Sequence, residues 1–177
     1  MEFNALVVEK DEEKGATSSG VKKINLEQLP EGDVLVNVEY SNVNYKDGLC
    51  IGPGAGLVKS YPHVPGIDFS GEVEYSETET YKKGDKVILT GWRVGEVVWG
   101  GYSQKARVKS NQLVSLPEGM TTKEAMSIGT AGFSAMLSLM KLEEFGMRKD
   151  NGEILVTGAS GGVGSVATII LSNLGYD

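Results

Sequence analysis

Soft metal ligands are almost absent from this sequence: one cysteine, Cys50, and one histidine, His63, occur among 177 residues. A single thiol excludes an internal disulfide framework and suits a reducing cytoplasm. A structural zinc site takes four nitrogen or sulfur ligands and a catalytic one usually three protein ligands, so a soft-ligand zinc site cannot be assembled. A carboxylate site for magnesium stays open, with nothing pointing to one. Blocks of Lys and Arg are missing too. The net charge is −7 and the pI about 4.9, which argues against nucleic-acid or anionic-membrane partners. No apolar run reads as long enough to span a bilayer, and Met1-Glu2-Phe3-Asn4 lacks the basic start of a signal peptide. Repeats and low-complexity segments are absent as well. What remains, 40% hydrophobic and 23% charged, is the composition of an ordinary soluble globular protein.

The most telling stretch that is present is Ile154-Leu155-Val156-Thr157-Gly158-Ala159-Ser160-Gly161-Gly162-Val163-Gly164. An apolar β run feeds a glycine cluster, and a helix is predicted to begin at once. Val163, Val166, Ala167, Ile170, Leu171 and Leu174 recur at spacings of three and four and share one helix face. Gly175 supplies a stop. Amides at such a turn, with the positive helix end, make a site for a phosphate or pyrophosphate. The glycines read G-x-x-G-x-x-G through Gly158, Gly161 and Gly164, not the usual G-x-G-x-x-G, and a plain tight turn is the bland alternative. Strand before and amphipathic helix after supply the context a dinucleotide site requires. A doubly wound domain needs several such units; the expectation is a parent polypeptide about twice this length.

Residues 1 to about 120 read as β-rich. Strands are predicted at Ala5–Glu9, Val34–Tyr40, Phe69–Tyr75, Lys86–Thr90, Tyr102–Val108 and Leu113–Leu116, with Asp11–Gly20 as a loop. Val34, Val36, Val38 and Tyr40 alternate onto one face. Short strands at this spacing indicate a barrel or sandwich. Thr121-Thr122-Lys123-Glu124 fits a capping box. The helix after it is expected to break at Gly129 or Gly132 and to run to Leu142, with Phe133, Met136, Leu137 and Met140 as core. Trp92 and Trp99 are expected to pack the domain, with a substrate wall as the second role.

The order of a β-rich domain, a helix and G-x-x-G-G-x-G resembles the medium-chain dehydrogenase/reductase superfamily. Several segments narrow the resemblance to its acryloyl-CoA reductase group, also described as quinone oxidoreductase-like: Leu29-Pro30-Glu31-Gly32-Asp33-Val34, Asn44-Tyr45-Lys46-Asp47, Val64-Pro65-Gly66-Ile67-Asp68, Leu89-Thr90-Gly91-Trp92, Trp99-Gly100-Gly101, Ala106-Arg107-Val108-Lys109, Ile128-Gly129-Thr130-Ala131-Gly132-Phe133 and the glycine turn itself. The resemblance implies a mixed α/β chain. Residues 1–122 would form a GroES-like β-rich barrel domain for the substrate. Residues 123–177 would be a connecting helix and the first βα unit of a truncated, NADP-binding Rossmann-type doubly wound domain. It further implies NADPH as cofactor, a homodimer and a small acyl-CoA substrate, and the lone cysteine adds the expectation of a cytoplasmic location. Zinc alcohol dehydrogenases, similar overall, place Cys, His and Cys where this chain has Asn44, Ile67 and Thr130, so no metal is expected.

Without that Lewis acid, reduction of an activated double bond is the feasible chemistry. The implied reaction is NADPH-dependent reduction of acryloyl-CoA to propionyl-CoA by hydride addition to the β carbon. Negative charge develops on the thioester oxygen and must meet preorganised donors. Tyr45 is the candidate catalytic and cofactor-binding residue; the bland alternative is a buried tyrosine bonded to a backbone carbonyl. Asn44 and Asp47 either orient Tyr45 or make local turn bonds. The resemblance sets Thr130 on the nicotinamide side, and Ser160, Gly161, Gly162 and Val163 on the cofactor phosphates. His63 and Cys50 read as structural, and Asp68 as a structural carboxylate. Alternatives are a quinone or enone/alkenal reductase on the same scaffold, or a noncatalytic dinucleotide-binding protein. The 177-residue chain alone is expected to be inactive.

Overall fold

The computed structural model describes residues 1–52 and 56–177. They divide into two compact units, Met1–Ser127 and Ile128–Asp177.

The first unit is built on β1 (Glu2–Lys10), β2 (Thr17–Asn25), β3 (Val34–Ser41), α1 (Tyr45–Ile51), β4 (Asp68–Ser76), β5 (Lys86–Thr90), β6 (Lys105–Val108) and β7 (Val114–Ser115). Strands β1 and β2 form an antiparallel hairpin. The predicted Asp11–Gly20 loop is shorter than expected. Asp11 accepts the N–H groups of Glu13 and Lys14, both at 2.9 Å, and Gly15 takes a positive φ of 65°. From Thr17 onward the chain pairs with β1 along its whole length. Backbone pairing thus makes a strand of Ser- and Lys-rich sequence that has little β signal of its own.

The other five strands form one antiparallel sheet in the order β6-β3-β4-β5-β7. The mixed α/β class therefore holds, with the barrel-like part made of two open sheets. Isolated bridges tie β1 to segments outside the five strands, Ala5 to Ser103 and Val8 to His63. β3 is buried on both faces: Val34 and Val36 join Phe69, Val73, Val87 and Leu89 in one cluster, while Leu35 joins Phe3, Val7, Ile24 and Val64 in another. Fully burying one such side chain stabilises by about 1.5–3 kcal/mol.

Two bulges interrupt the β3–β4 ladder. Val38 faces Gly71 and Tyr40 faces Ser70, which leaves Glu39 as the extra residue. Leu35 faces Tyr75 and Val36 faces Val73, which leaves Glu74 extra on β4. Each spare glutamate meets a lysine two strands away, across the intervening strand. Glu39 lies 2.5 Å from Lys86 and accepts from the Thr122 hydroxyl at 2.6 Å, and Glu74 pairs with Lys105. The first bulge also corrects the predicted alternation. Tyr40 slips out of the Val34–Val36–Val38 face and is exposed.

Helix α2 (Thr122–Glu144) starts with the predicted capping box: Glu124 accepts the Thr121 N–H at 2.8 Å, and Thr121 Oγ1 accepts the Glu124 N–H at 3.2 Å. It breaks at Gly129, whose φ of 51° and ψ of −160° are open to glycine and strained for other residues. By length and composition α2 is long and apolar enough to cross a membrane, which corrects the expectation that no run qualifies.

The second unit contains the rest of α2 and helix α3 (Gly162–Leu174), which Gly175 ends in the left-handed conformation, φ 79°. Two expectations fail here. Phe133, Met136, Leu137 and Met140 are exposed rather than core, because among the described residues of this unit one helix, α3, lies alongside them, and only inward positions such as Ala135 and Leu139 are covered. The run Ile154–Val156 joins no ladder among the described residues, since a strand needs a neighbour; Ile154 N–H donates instead to the Asp177 carbonyl at 2.7 Å.

Candidate active site

At the end of β3 the chain enters α1 through Asn42, Val43 and Asn44, and Tyr45 is the first helical residue. Asp47, one turn on and 1% exposed, fixes this entry. One carboxylate oxygen accepts the Asn44 N–H at 2.8 Å; the other accepts Gly66 N–H at 3.2 Å and Ile67 N–H at 2.9 Å. A single buried side chain therefore ties the start of α1 to backbone about 20 residues away. The Asn44 amide donates to Asn42 Oδ1 at 2.6 Å and to buried Asp68 at 3.2 Å. The Tyr102 hydroxyl donates to the Asn42 carbonyl at 3.0 Å. Burial pushes the Tyr102 phenol well above its ordinary range, with the charges of Asp47 and Asp68 adding to it, so this tyrosine is a fixed donor.

On that locked base Tyr45 is 84% exposed. The buried-tyrosine alternative is excluded, and the phenol is available to a ligand. Asn44 and Asp47 make local and long-range structural bonds, to backbone and to Asp68. Asp68 is a buried carboxylate, as expected. Sequence reasoning missed the Asp47 clamp and Tyr102. The Asn-x-x-Asp spacing signalled the local bond, but nothing signalled Gly66 and Ile67 as partners.

His63 is 1% exposed, with Nε2 2.8 Å from the Gly95 carbonyl. Burial lowers its pKa, opposed by that bond, and it serves as a core strut. Cys50 is buried and its thiol is pushed up to about 11, mainly by burial, so it is an inert filler. Trp99 packs as expected and donates to the Pro62 carbonyl at 2.9 Å. Trp92 does not: it is 59% exposed.

In the second unit the glycine turn gathers Ser160, Gly161, Gly162 and Val163 at the start of α3, all exposed. Gly158 has φ 63°, and its carbonyl accepts the Gly161 N–H at 2.9 Å. Gly161 thus spends its amide inside the turn. The first helical turn, Gly162 and Val163 included, keeps N–H groups without intrahelical acceptors, aimed outward along the helix axis. A side chain on Gly164 would collide with the Gly158 carbonyl; the missing Cβ is what lets the turn fold this tightly. Thr130 is half-buried in α2, one residue past the break. A cavity of about 630 Å³ beneath the turn is lined mainly by aliphatic groups, Leu139, Leu142, Val156 and Leu171 among them. Its lining suits packing, so anion binding belongs to the exposed amides. These residues fit a phosphate-bearing cofactor; Tyr45 lies in the other unit.

The alcohol dehydrogenase GroES-like domain family matches residues 30–118. The acrylyl-CoA reductase AcuI of Ruegeria pomeroyi is 66% identical over 175 residues, covering 99% of this chain and 53% of that protein. The yhdH oxidoreductase from Salmonella enterica, solved in complex with NADP, superposes with a TM-score of 0.93 at 49% identity, over 100% of this chain and 53% of the other. Bacillus subtilis yhfP, solved with NAD bound, gives a TM-score of 0.95 at 44% identity, over 100% and 53%. The chain spans about half the length of these curated relatives. It belongs to the alcohol dehydrogenase GroES-like domain family.

Proposed function

We propose that the protein carrying this chain is an NADPH-dependent enoyl-thioester reductase, converting acryloyl-CoA to propionyl-CoA without a metal. The observation that carries this reading is the similarity, along 99% of the chain, to an acrylyl-CoA reductase. The site chemistry is in keeping with it. Two positions that hold metal ligands in similar zinc enzymes are here Asn44, hydrogen-bonded to Asp68, and Ile67, whose side chain offers no donor atom.

NADPH, when bound, supplies a hydride for the β carbon of the electron-poor alkene. One proton reaches the α carbon, and propionyl-CoA and NADP⁺ leave. The phosphates are held by the Ser160 hydroxyl and the amides of Gly162 and Val163, with Gly161 shaping the turn and Thr130 on the nicotinamide side. An anion at this helix start gains about 0.3–1 kcal/mol. Tyr45 binds at the reacting end and donates its hydroxyl to the thioester oxygen as charge builds there. Residues 1–122 form the substrate domain and 123–177 the opening of the nucleotide domain. The assembly is a cytoplasmic homodimer, and the 177 residues alone turn nothing over.

The test is to mix the protein, extended to the length of its relatives, with NADPH and acryloyl-CoA and follow cofactor absorbance. Propionyl-CoA should accumulate in step with NADPH loss, and the 177-residue chain should be silent. Rapid reduction of a quinone with no propionyl-CoA would replace this reading with the quinone reductase one; cofactor binding without turnover of any acceptor would indicate a noncatalytic binder.

A further inference from the structure

We infer that Trp92 and Arg93 form the docking platform for the adenine-nucleotide end of the acyl-CoA substrate. The inference rests on the proposed reading of the site and adds to it the means by which the carrier is recognised.

Strand β5 ends at Thr90, which pairs with Asp68, and Asp68 holds Asn44 beside Tyr45. The chain after Thr90 therefore leaves the sheet at the end that carries α1. There Gly91, Trp92 and Arg93 follow one another with φ of 84°, 57° and 59°. Two successive non-glycine residues in the left-handed region are strained, and such strain persists only where the surroundings over-determine it. The surroundings do so here. Val94 and Gly95 are buried, the Gly95 carbonyl is bonded by His63, and the Arg93 carbonyl accepts Val97 N–H at 2.9 Å. Glu96 pairs with Lys46 of α1 at 2.9 Å, which fastens the loop to the helix that begins at Tyr45.

This rigid base holds up two side chains that packing would not choose to leave out. Trp92 is 59% exposed, and Arg93, exposed beside it, makes no ion pair among the described residues. Arg93 is one of three arginines in a chain of net charge −7, so a polyanion needs local help. An indole face and a guanidinium on a stiff loop match a flat base linked to phosphates. Acryloyl itself has three carbons, and specificity for its thioester must draw on binding to the remote handle.

The experiment compares acryloyl-CoA with acryloyl-pantetheine, which has the same reacting group and no nucleotide. Trp92→Ala, Trp92→Phe and Arg93→Gln are made in the full-length enzyme. In Trp92→Ala and Arg93→Gln the drop in kcat/KM should be about ten-fold larger on acryloyl-CoA than on acryloyl-pantetheine. Trp92→Phe should retain most of the difference, and the KM for NADPH should stay put. Desulfo-CoA binding, measured by calorimetry without turnover, should weaken in parallel. Equal losses on both acceptors, a rise in the KM for NADPH instead, or unchanged desulfo-CoA affinity would each overturn the assignment. If wild-type enzyme reduces no acryloyl-CoA yet binds desulfo-CoA through Trp92, the proposed reaction fails and the platform stands.

Discussion

Replacing Asp47 by alanine removes the acceptor for three backbone N–H groups at once, at Asn44, Gly66 and Ile67. Two of those, Gly66 and Ile67, are buried, so water cannot take over without opening the fold. Orphaning a buried donor costs about 1–3 kcal/mol each, and the half-buried Asn44 donor costs less because solvent can reach it. The expected loss for Asp47→Ala is about 3–5 kcal/mol, a large part of the roughly 5–15 kcal/mol that holds a domain together. Asp47→Asn keeps one oxygen for Gly66 and Ile67 and gives up the charge and the Asn44 bond, for an expected loss of about 1–2 kcal/mol. Urea unfolding followed by tryptophan fluorescence measures both, with an unchanged m-value showing that compactness is unaffected. An alanine variant that loses less than about 1 kcal/mol would mean the clamp carries no weight.

Three further outcomes follow from the site. Tyr45→Phe should cut kcat about 10²-fold or more if the hydroxyl meets developing charge; a raised KM for NADPH with kcat intact assigns it to binding, and no change in either removes it from the site. Gly164→Ala drives a side chain into the Gly158 carbonyl, and should raise the NADPH Kd about ten-fold or more while circular dichroism stays native. His63, held below its ordinary 6.5 by burial, binds fewer protons folded than unfolded. Stability should be level well above that value and fall as the pH drops through it toward the lowered folded-state pKa, with His63→Gln flattening the slope.

Much of this architecture is legible in the residues. Alternation located β3, β4 and β5 within a residue or two, and the Thr121–Glu124 spacing and Gly129 marked the start and break of α2. What escaped had non-local causes. β2 is Ser- and Lys-rich and is a strand only because β1 offers a full ladder. Tyr40 obeys the period in the sequence and leaves it in the fold, since one extra residue upstream changes its side. For the candidate site, the motif pointed to Tyr45, which the fold leaves exposed at the start of α1, and context pointed to the glycine turn, which does open a helix. The Asp47 bonds to Gly66 and Ile67 were not, because no pattern specifies which distant amides will be brought beneath a carboxylate. Trp92 was misread for a related reason. Aromatic content suggests core, and only the left-handed backbone at 92 and 93 turns the ring outward.

The two spare glutamates of the β3–β4 pair bear on how this scaffold tolerates sequence change. Exchanging Glu39 for another residue forfeits a lysine contact and a threonine contact and leaves the ladder count intact. Deleting it is a different event: Tyr40 would follow Val38 directly and keep both its pairing with Ser70 and its side of the sheet, so the strand would regain an even ladder and lose the bulge's bend. Asn42, Asn44 and Tyr45 follow within six residues, so a shortening by one codon here would straighten the strand just before the chain enters α1. In this segment the extra residue sets the bend of the strand, and its identity sets the contacts to Lys86 and Thr122.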